Sequence, residues 1–99
     1  MDSVINTQFV YNREIIRILV DERFITWFEA AAVANILNYK NFENTCFRKR
    51  DKITVDGQVY INKKAIDSLC DGSEIYSDFD HWIINDVLPS VHIYRENFM

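Results

Sequence analysis

The 99-residue chain has few of the residues that interrupt or cross-link a fold: two glycines, one proline and two cysteines. This composition excludes a flexible low-complexity linker, and the sequence contains no internal repeat. The longest uninterrupted apolar runs are only a few residues, so we expect no membrane span. The start of the chain lacks a basic segment followed by an apolar one, and we therefore expect an intracellular protein without a signal peptide.

The cysteines and histidines lack the spacing of a metal site. Cys46 and Cys70 are expected to be reduced thiols, each buried as a structural residue. With His81 and His92 they could nominally form a four-ligand set, but no pair has the short spacing of zinc ligands. We therefore expect no metal and no cofactor.

Motifs of common enzyme classes are absent as well. The sequence has no glycine-rich phosphate loop, no G-x-S-x-G and no zincin motif. Asp78, Asp80 and Asp86 are closely spaced, but Asp78 and Asp80 cannot share one face of a helix, so catalysis by a carboxylate pair is unsupported. We expect a non-enzymatic protein with no small-molecule substrate.

What the chain does contain is enough apolar material for one core. Hydrophobic residues make up 48% of the sequence and aromatic residues 14%, which is typical of a folded domain rather than a disordered segment. A chain of this length can bury one core without disulfides or metal. We predict a single domain over residues 1–99, with its core over about 8–91 and with 1–7 and 95–99 peripheral.

Charge is distributed unevenly along the chain. The net charge of −4 disfavours binding of nucleic acid by the surface as a whole. Residues 40–64, however, contain seven basic and three acidic residues, whereas residues 65–99 contain one basic and seven acidic. Any contact with DNA is therefore expected to involve the basic segment.

The first part of the chain alternates as strands do and then changes to a helical period. We predict strands over 8–11, 14–20 and 24–27, with a tight turn at Asn12-Arg13 between the first two. Their β-branched residues favour strand over helix. Helices are expected after the third strand, because alanine, which favours helix, becomes frequent there.

Two helices are predicted next. The first covers 27–37, with Thr26 and Glu29 as a capping box or with a start two residues later, and Asn38 closes it. The second covers 42–50, and its basic last turn suits the helix dipole. Two short helices joined by a tight turn have the proportions of a helix-turn-helix.

A hairpin is the clearest short-range prediction. Asp56-Gly57 lies between two alternating segments, so residues 52–61 should form two strands around a type I′ turn. Asn62 is expected to cap a helix over 63–69. This hairpin and the N-terminal one should form a small antiparallel sheet.

The last predicted helix carries an apolar stripe. It is expected to begin after Ser77 as N-cap and to be stopped by Pro89. Together the patterns predict an α+β fold, with the antiparallel sheet packed against about four short helices. The predicted structural core consists of Trp27, Phe28, Val33, Leu37, Phe79, Trp82, Ile83, Val87, Leu88 and Pro89.

Four residue strings, in order, resemble one known domain family. W-I-I-N-D-V-L-P-S (82–90), together with Phe79 three residues before it, resembles the closing signature of the BRO-N domain. That signature reads F-x-x-W-[VI]-x-x-[ED]-V-L-P-S. W-F-E-A-A-A-V-A-N-I-L-N-Y-K-N (27–41) is similar to the family's W-F-x-A-x-D-V-[AC]-x-x-L-G-Y-x-[ND]. V-Y-I-N-K-K-A-I-D-S-L (59–69) resembles its later strand-turn-helix, and residues 9–20 resemble its opening hairpin. The resemblance covers about residues 8–91.

The resemblance implies a function and also has departures. BRO-N is the N-terminal module of baculovirus repeated-ORF proteins and many phage antirepressors, which implies a viral or prophage protein that binds DNA or chromatin and regulates transcription. The expected location is then the host nucleus and/or cytoplasm for a virus of a eukaryote, and the cytoplasm for a prophage-encoded protein. The family's Asp is Ala32 here, and its glycines are Asn38 and Ala65. The basic residues that commonly follow V-L-P-S are replaced by V-H-I-Y (91–94), with only Arg95 beyond.

DNA binding is the leading functional hypothesis. Cations can hold phosphates while amides read base edges, and both types occur together in the basic segment. The alternative without a ligand is a solvated basic surface. The candidate DNA-binding residues are Lys40, Asn41, Asn44, Arg48, Lys49, Arg50, Lys52, Lys63 and Lys64.

The second hypothesis is a protein-interaction module. Residues 65–99 are strongly acidic and carry Tyr76, Tyr94 and Phe98, which could contact a basic partner if they are exposed. Such a module could pair with a second copy along a strand edge, or antagonise a host or viral regulator. The aromatic residues could instead complete the core.

Overall fold

The fold is that of a computed structural model, which describes residues 3–23, 25–38, 47–69 and 73–91, with side chains from Asn6 onward. Five antiparallel strands form one sheet in the order β1-β2-β3-β5-β4. Their bounds are β1 (Ser3–Tyr11), β2 (Glu14–Asp21), β3 (Thr26–Glu29), β4 (Lys52–Val55) and β5 (Gln58–Ile61).

Both predicted hairpins are confirmed. Asn12 and Arg13 have φ of 53° and 70° between β1 and β2, and Asp56 and Gly57 have φ of 51° and 80° between β4 and β5. Positive φ at both central residues defines the type I′ turn, whose twist matches that of the strands it joins. Asn and Asp tolerate this conformation better than most residues, and Gly57 adopts it without a steric cost.

Helices pack on one face of the sheet, so the predicted α+β class is confirmed. They are α1 (Ala30–Leu37), α2 (Lys63–Asp67) and α3 (Glu74–Trp82). A 3₁₀ turn, Lys49–Asp51, precedes β4, and a π-helical turn, Ile83–Val87, follows α3. The side chains of Ile16, Ile18 and Val20 alternate along β2 toward these helices.

The main core lies between this face and the helices. Phe28 and Ile61 face each other across β3 and β5, and Val33 of α1 packs with them. Burying one such side chain is worth roughly 1.5–3 kcal/mol before the loss of conformational entropy. The fully buried large side chains are Phe28, Phe79, Ile16, Ile18, Ile61, Ile66, Ile83, Val20, Val33 and Val87.

Six of the predicted core residues are buried, three are half-buried and one is exposed. Leu37, Trp82 and Leu88 are half-buried and pack against the core. Pro89, however, is exposed. Its side chain therefore adds little to the core, contrary to the prediction.

Trp27 is buried in a second, smaller cluster on the other face of the sheet. It packs there with Leu19 and Tyr60. The helix predicted from residue 27 is wrong at its start, because residues 26–29 form β3 and alternate between the two faces. Glu29 is the N-cap of α1 and makes no side-chain capping bond, so the predicted capping box is wrong as well.

The last helix begins earlier and ends later than predicted. Ser73 is its N-cap, with its Oγ accepting a hydrogen bond from the Tyr76 amide at 3.2 Å, whereas Ser77 lies inside α3. Pro89 does not stop the helix, because residues 88–91 are α-helical. The π-helical turn widens the backbone just before the proline, where a regular α-helix would bring its ring against a carbonyl.

The helix predicted over 42–50 is wrong at its C-terminal end. Phe47 and Arg48 have no helical assignment, and the following 3₁₀ turn leads directly into β4. Residues 42–46, which include Cys46, lie outside the described part of the chain. Cys70, Tyr94 and Phe98 lie outside it as well. The N-terminal strand starts at Ser3 rather than at residue 8.

Candidate nucleic-acid interface

The antiparallel order brings three separate basic segments to one end of the sheet. The β2–β3 connection, the start of β4 and the end of β5 all lie at this end, because Ile61 pairs with both Phe28 and Lys52. Arg23, which the sequence interpretation left out, belongs to the first of these segments. We call this set the basic end: Arg23, Arg48, Lys49, Arg50, Lys52, Lys63 and Lys64.

A buried carboxylate shapes the β2–β3 connection. Asp21 accepts hydrogen bonds from the backbone amides of Arg23 and Ile25, both at 2.9 Å, and from Trp27 Nε1 at 3.0 Å. Its own amide donates to the Ile25 carbonyl at 3.1 Å. The loop is therefore closed around one side chain, and Arg23 is held at its exposed tip.

A second buried carboxylate joins the other two basic segments. Asp51 Oδ1 accepts a hydrogen bond from Asn62 Nδ2 at 3.1 Å, and the Asn62 amide donates to the Asp51 carbonyl at 3.1 Å. Asn62 Oδ1 in turn caps α2 by accepting from the Ala65 amide at 3.0 Å, as the sequence predicts. Residues 48–50 and 63–64 are thus fixed next to each other.

Three adjoining clefts run over the basic end. The first, of about 440 Å³, has Arg23, Arg50 and Lys64 among its lining residues, together with the apolar residues Ile25 and Leu88. Several cations around one concave surface favour an anionic ligand. The basic end therefore has a shape as well as a charge suited to phosphate groups.

The two neighbouring clefts extend this surface. One, of about 340 Å³, shares Arg23 and Arg50 with the first and adds Lys49. The other, of about 430 Å³, is lined by Arg48 and again by Lys64. Arg48, Lys49, Arg50 and Lys64 are all exposed, so all four can reach a ligand. Lys52 is exposed on the edge strand β4 but does not line these clefts.

Lys63 differs from the other cations because it is already paired. Its Nζ lies 2.5 Å from Asp67 Oδ1 and 2.5 Å from Asp80 Oδ1. Burial alone would lower the pKa of the ammonium, but hydrogen bonds and charge from Asp67 and Asp80 raise it overall. Lys63 is therefore held by two carboxylates and is a poorer candidate for phosphate than Lys64.

The acidic C-terminal part is only partly available to a partner. Tyr76 is buried, and its hydroxyl donates to Asp67 Oδ1 at 2.7 Å, so it belongs to the core rather than to an exposed aromatic surface. Asp80 forms an ion pair with Lys63. Asp78 is exposed and close to Tyr11, whose pKa is raised by burial and by this carboxylate.

Tyr11 adjoins the β1–β2 turn, at the end of the sheet opposite the basic end. The acidic Asp78 therefore lies away from the clefts. Of the acidic residues that line the clefts, Asp21 and Asp51 are buried and hydrogen-bonded, Asp67 is paired with Lys63, and Glu22 is exposed.

Three of the candidate DNA-binding residues, Lys40, Asn41 and Asn44, lie outside the described part of the chain. The structure brings the remaining candidates together from two segments and adds Arg23 from a third. Arg23 could have been found from its place in a polar turn between two strands, but only the strand order shows which end of the sheet that turn occupies.

The described residues lack the patterns of metal sites and membrane-spanning helices. Among residues 3–23, 25–38, 47–69 and 73–91, no three His, Cys, Asp or Glu side chains cluster as metal ligands would. His81 is exposed, and His92 lies outside these ranges. No helix within the described residues has both the length and the apolar character needed to cross a bilayer.

Comparisons with known proteins give no match: no protein-family model, no curated protein and no solved structure matches this chain. The resemblance to the BRO-N domain therefore remains a prediction from the residues that carry it.

Proposed function

We propose that this chain is a non-enzymatic, intracellular DNA-binding module of the BRO-N type that regulates transcription in a virus or prophage. One observation carries the proposal: five exposed cations from three segments converge on adjoining clefts, while the acids that line those clefts are, except for Glu22, buried or paired. These five are Arg23, Arg48, Lys49, Arg50 and Lys64.

The charge distribution explains how a protein of net charge −4 can bind DNA. Phosphate contacts supply most of the sequence-independent affinity, and they depend on local rather than total charge. The acidic remainder of the surface is repelled by the duplex, which orients the basic end toward it. We propose double-stranded DNA as the ligand, bound mainly through its phosphates.

Three residues at which the chain departs from the BRO-N pattern are structurally compatible with the proposed resemblance. Asn38 replaces a glycine and has φ of 55°, ψ of 44°, a left-handed conformation that glycine and asparagine adopt most readily. Ala65 replaces another glycine and is buried. Ala32, in α1, replaces an aspartate and is also buried, and it is not part of the basic end.

The test is fluorescence anisotropy with a mixed-sequence duplex, titrated from low to physiological salt. Five phosphate contacts predict that log Kobs falls against log salt with a slope of about −4 to −5. Reversing three charges in Arg48→Glu/Lys49→Glu/Arg50→Glu should weaken binding at least tenfold and flatten the slope to about −2. Circular dichroism of each variant checks that it is folded. Absence of wild-type binding at low salt would contradict the proposal.

A further inference from the structure

The two edges of the sheet are protected very differently. β4 has only four residues and begins with Lys52, and short length and lysine are both common ways to prevent edge-to-edge pairing. β1 has nine residues, S-V-I-N-T-Q-F-V-Y, with no charged residue, proline or glycine. Among the described residues, no strand pairs with its outer edge. β1 therefore has the features of a strand that accepts another strand.

The hairpin register shows which backbone groups face outward. Tyr11 and Glu14 flank a two-residue turn and so exchange backbone hydrogen bonds with each other. Because such pairs alternate with non-bonded ones, the amides and carbonyls of Asn6, Gln8 and Val10 point away from β2. Three evenly spaced residues thus offer donors and acceptors at the outer edge.

The side chains beside this edge are exposed and uncharged. Asn6 and Gln8 are exposed, and Val10 is 63% exposed. Val10 pairs across the hairpin with Ile15, which is 53% exposed, so the two form an apolar pair next to the free edge. A neighbouring strand at this edge would cover part of Val10.

We propose that β1 pairs with β1 of a second copy of this chain, antiparallel and about a twofold axis at Gln8. In that register Gln8 faces its own copy and Asn6 faces Val10 of the other protomer. The three outward-facing residues on each side then form about six backbone hydrogen bonds. The dimer joins two five-stranded sheets into one continuous sheet.

A second copy fits this edge better than a charged peptide does. The interface is isologous, so the same uncharged strand must be compatible with itself. β1 meets this requirement because no like charges are opposed in the pairing of Asn6, Gln8 and Val10. The basic end takes no part in the contact, so the dimer is independent of the proposed DNA binding.

Sedimentation equilibrium over a wide concentration range tests the proposal. The wild type should shift with concentration from 11.8 kDa toward twice this mass. Gln8→Lys places two like charges opposite each other at the axis and should weaken the dimer at least tenfold. Gln8→Pro removes an outward amide without removing a β1–β2 hydrogen bond, and it should have the same effect.

Thr54 provides a matched control on the other edge. It is exposed, and the same alternation from the Asp56-Gly57 turn directs its amide outward from β4. Thr54→Lys should dimerise like the wild type. A wild type that stays at 11.8 kDa up to its solubility limit would overturn the proposal, as would a Gln8→Lys variant that is folded by circular dichroism and dimerises normally.

Discussion

At the scale of single residues, two buried carboxylates organise the basic end. Asp21 closes the β2–β3 connection around its side chain, and Asp51 ties the 3₁₀ turn to the start of α2 through Asn62. Asp21 accepts hydrogen bonds from two backbone amides and an indole, and Asp51 accepts one from the Asn62 side chain. Asp21 and Asp51 hold the backbone segments that carry the arginines and lysines of the clefts. The arrangement of positive charge at the basic end therefore depends on these two carboxylates.

Asp21→Ala should lower the free energy of unfolding by about 3 kcal/mol. The substitution leaves the Arg23 amide, the Ile25 amide and the Trp27 indole without their acceptor, and a bond to a charged group contributes about 1.5–3 kcal/mol. Urea denaturation followed by tryptophan fluorescence measures the change. The control is Glu22→Ala, an exposed neighbour that should change stability by less than about 0.5 kcal/mol. Equal effects of the two variants would contradict this role of Asp21.

Lys63 gives a prediction for alkaline pH. Its folded pKa lies above the ordinary value of 10.5, so its stabilising pairing is complete below pH 10.5 and is lost as pH rises through the folded pKa. Lys63→Met should be less stable than the wild type by about 1 kcal/mol at pH 7. The difference should shrink above pH 10.5.

Denaturation of the wild type and of Lys63→Met at a series of pH values measures this difference. Lys64→Met is the matched control, because the neighbouring lysine is exposed and has no ion pair within the described residues. Its difference from the wild type should be small at every pH. A Lys63→Met difference that is constant through the alkaline range would contradict the pairing.

At the scale of elements, local chemistry predicted some boundaries well and others poorly. The Asp56-Gly57 turn and the Asn62 cap depend on neighbouring residues only, and both are confirmed. The sequence pattern predicted a change from strand to helix at Trp27, but pairing with β2 and β5 extends the strand to Glu29. That pairing joins residues far apart in sequence, and periodicity does not reveal it.

The start of α3 differs between the sequence prediction, with Ser77 as N-cap, and the structure, with Ser73 as N-cap. Ser73→Ala should destabilise the protein by about 1 kcal/mol, because the Tyr76 amide loses its acceptor. Ser77→Ala should be neutral or slightly stabilising, since Ser77 is exposed inside the helix and alanine has the higher helix propensity. Thermal unfolding of both variants measures the contrast. A larger loss for Ser77→Ala would place the helix start at the sequence-predicted position.

At the scale of the whole molecule, the strand order separates charge in space. The sequence predicted one contiguous basic segment over residues 40–64. In the structure, Arg50 and Lys64 of that segment line the same cleft as Arg23, which lies outside it. Arg13 lies in the β1–β2 turn at the opposite end of the sheet. Only the antiparallel arrangement distinguishes these two arginines, because each is an exposed residue of a strand-connecting turn.

Comparing variants of Arg23 and Arg13 is the most direct measurement of the central claim, that the basic end binds DNA. Arg23→Glu and Arg13→Glu make the same charge change on two exposed turns, so both proteins have the same net charge. Duplex affinity is measured by fluorescence anisotropy at one low salt concentration. The account predicts that Arg23→Glu binds at least fivefold more weakly than Arg13→Glu, which stays near the wild type. Equal affinities of the two variants would contradict it.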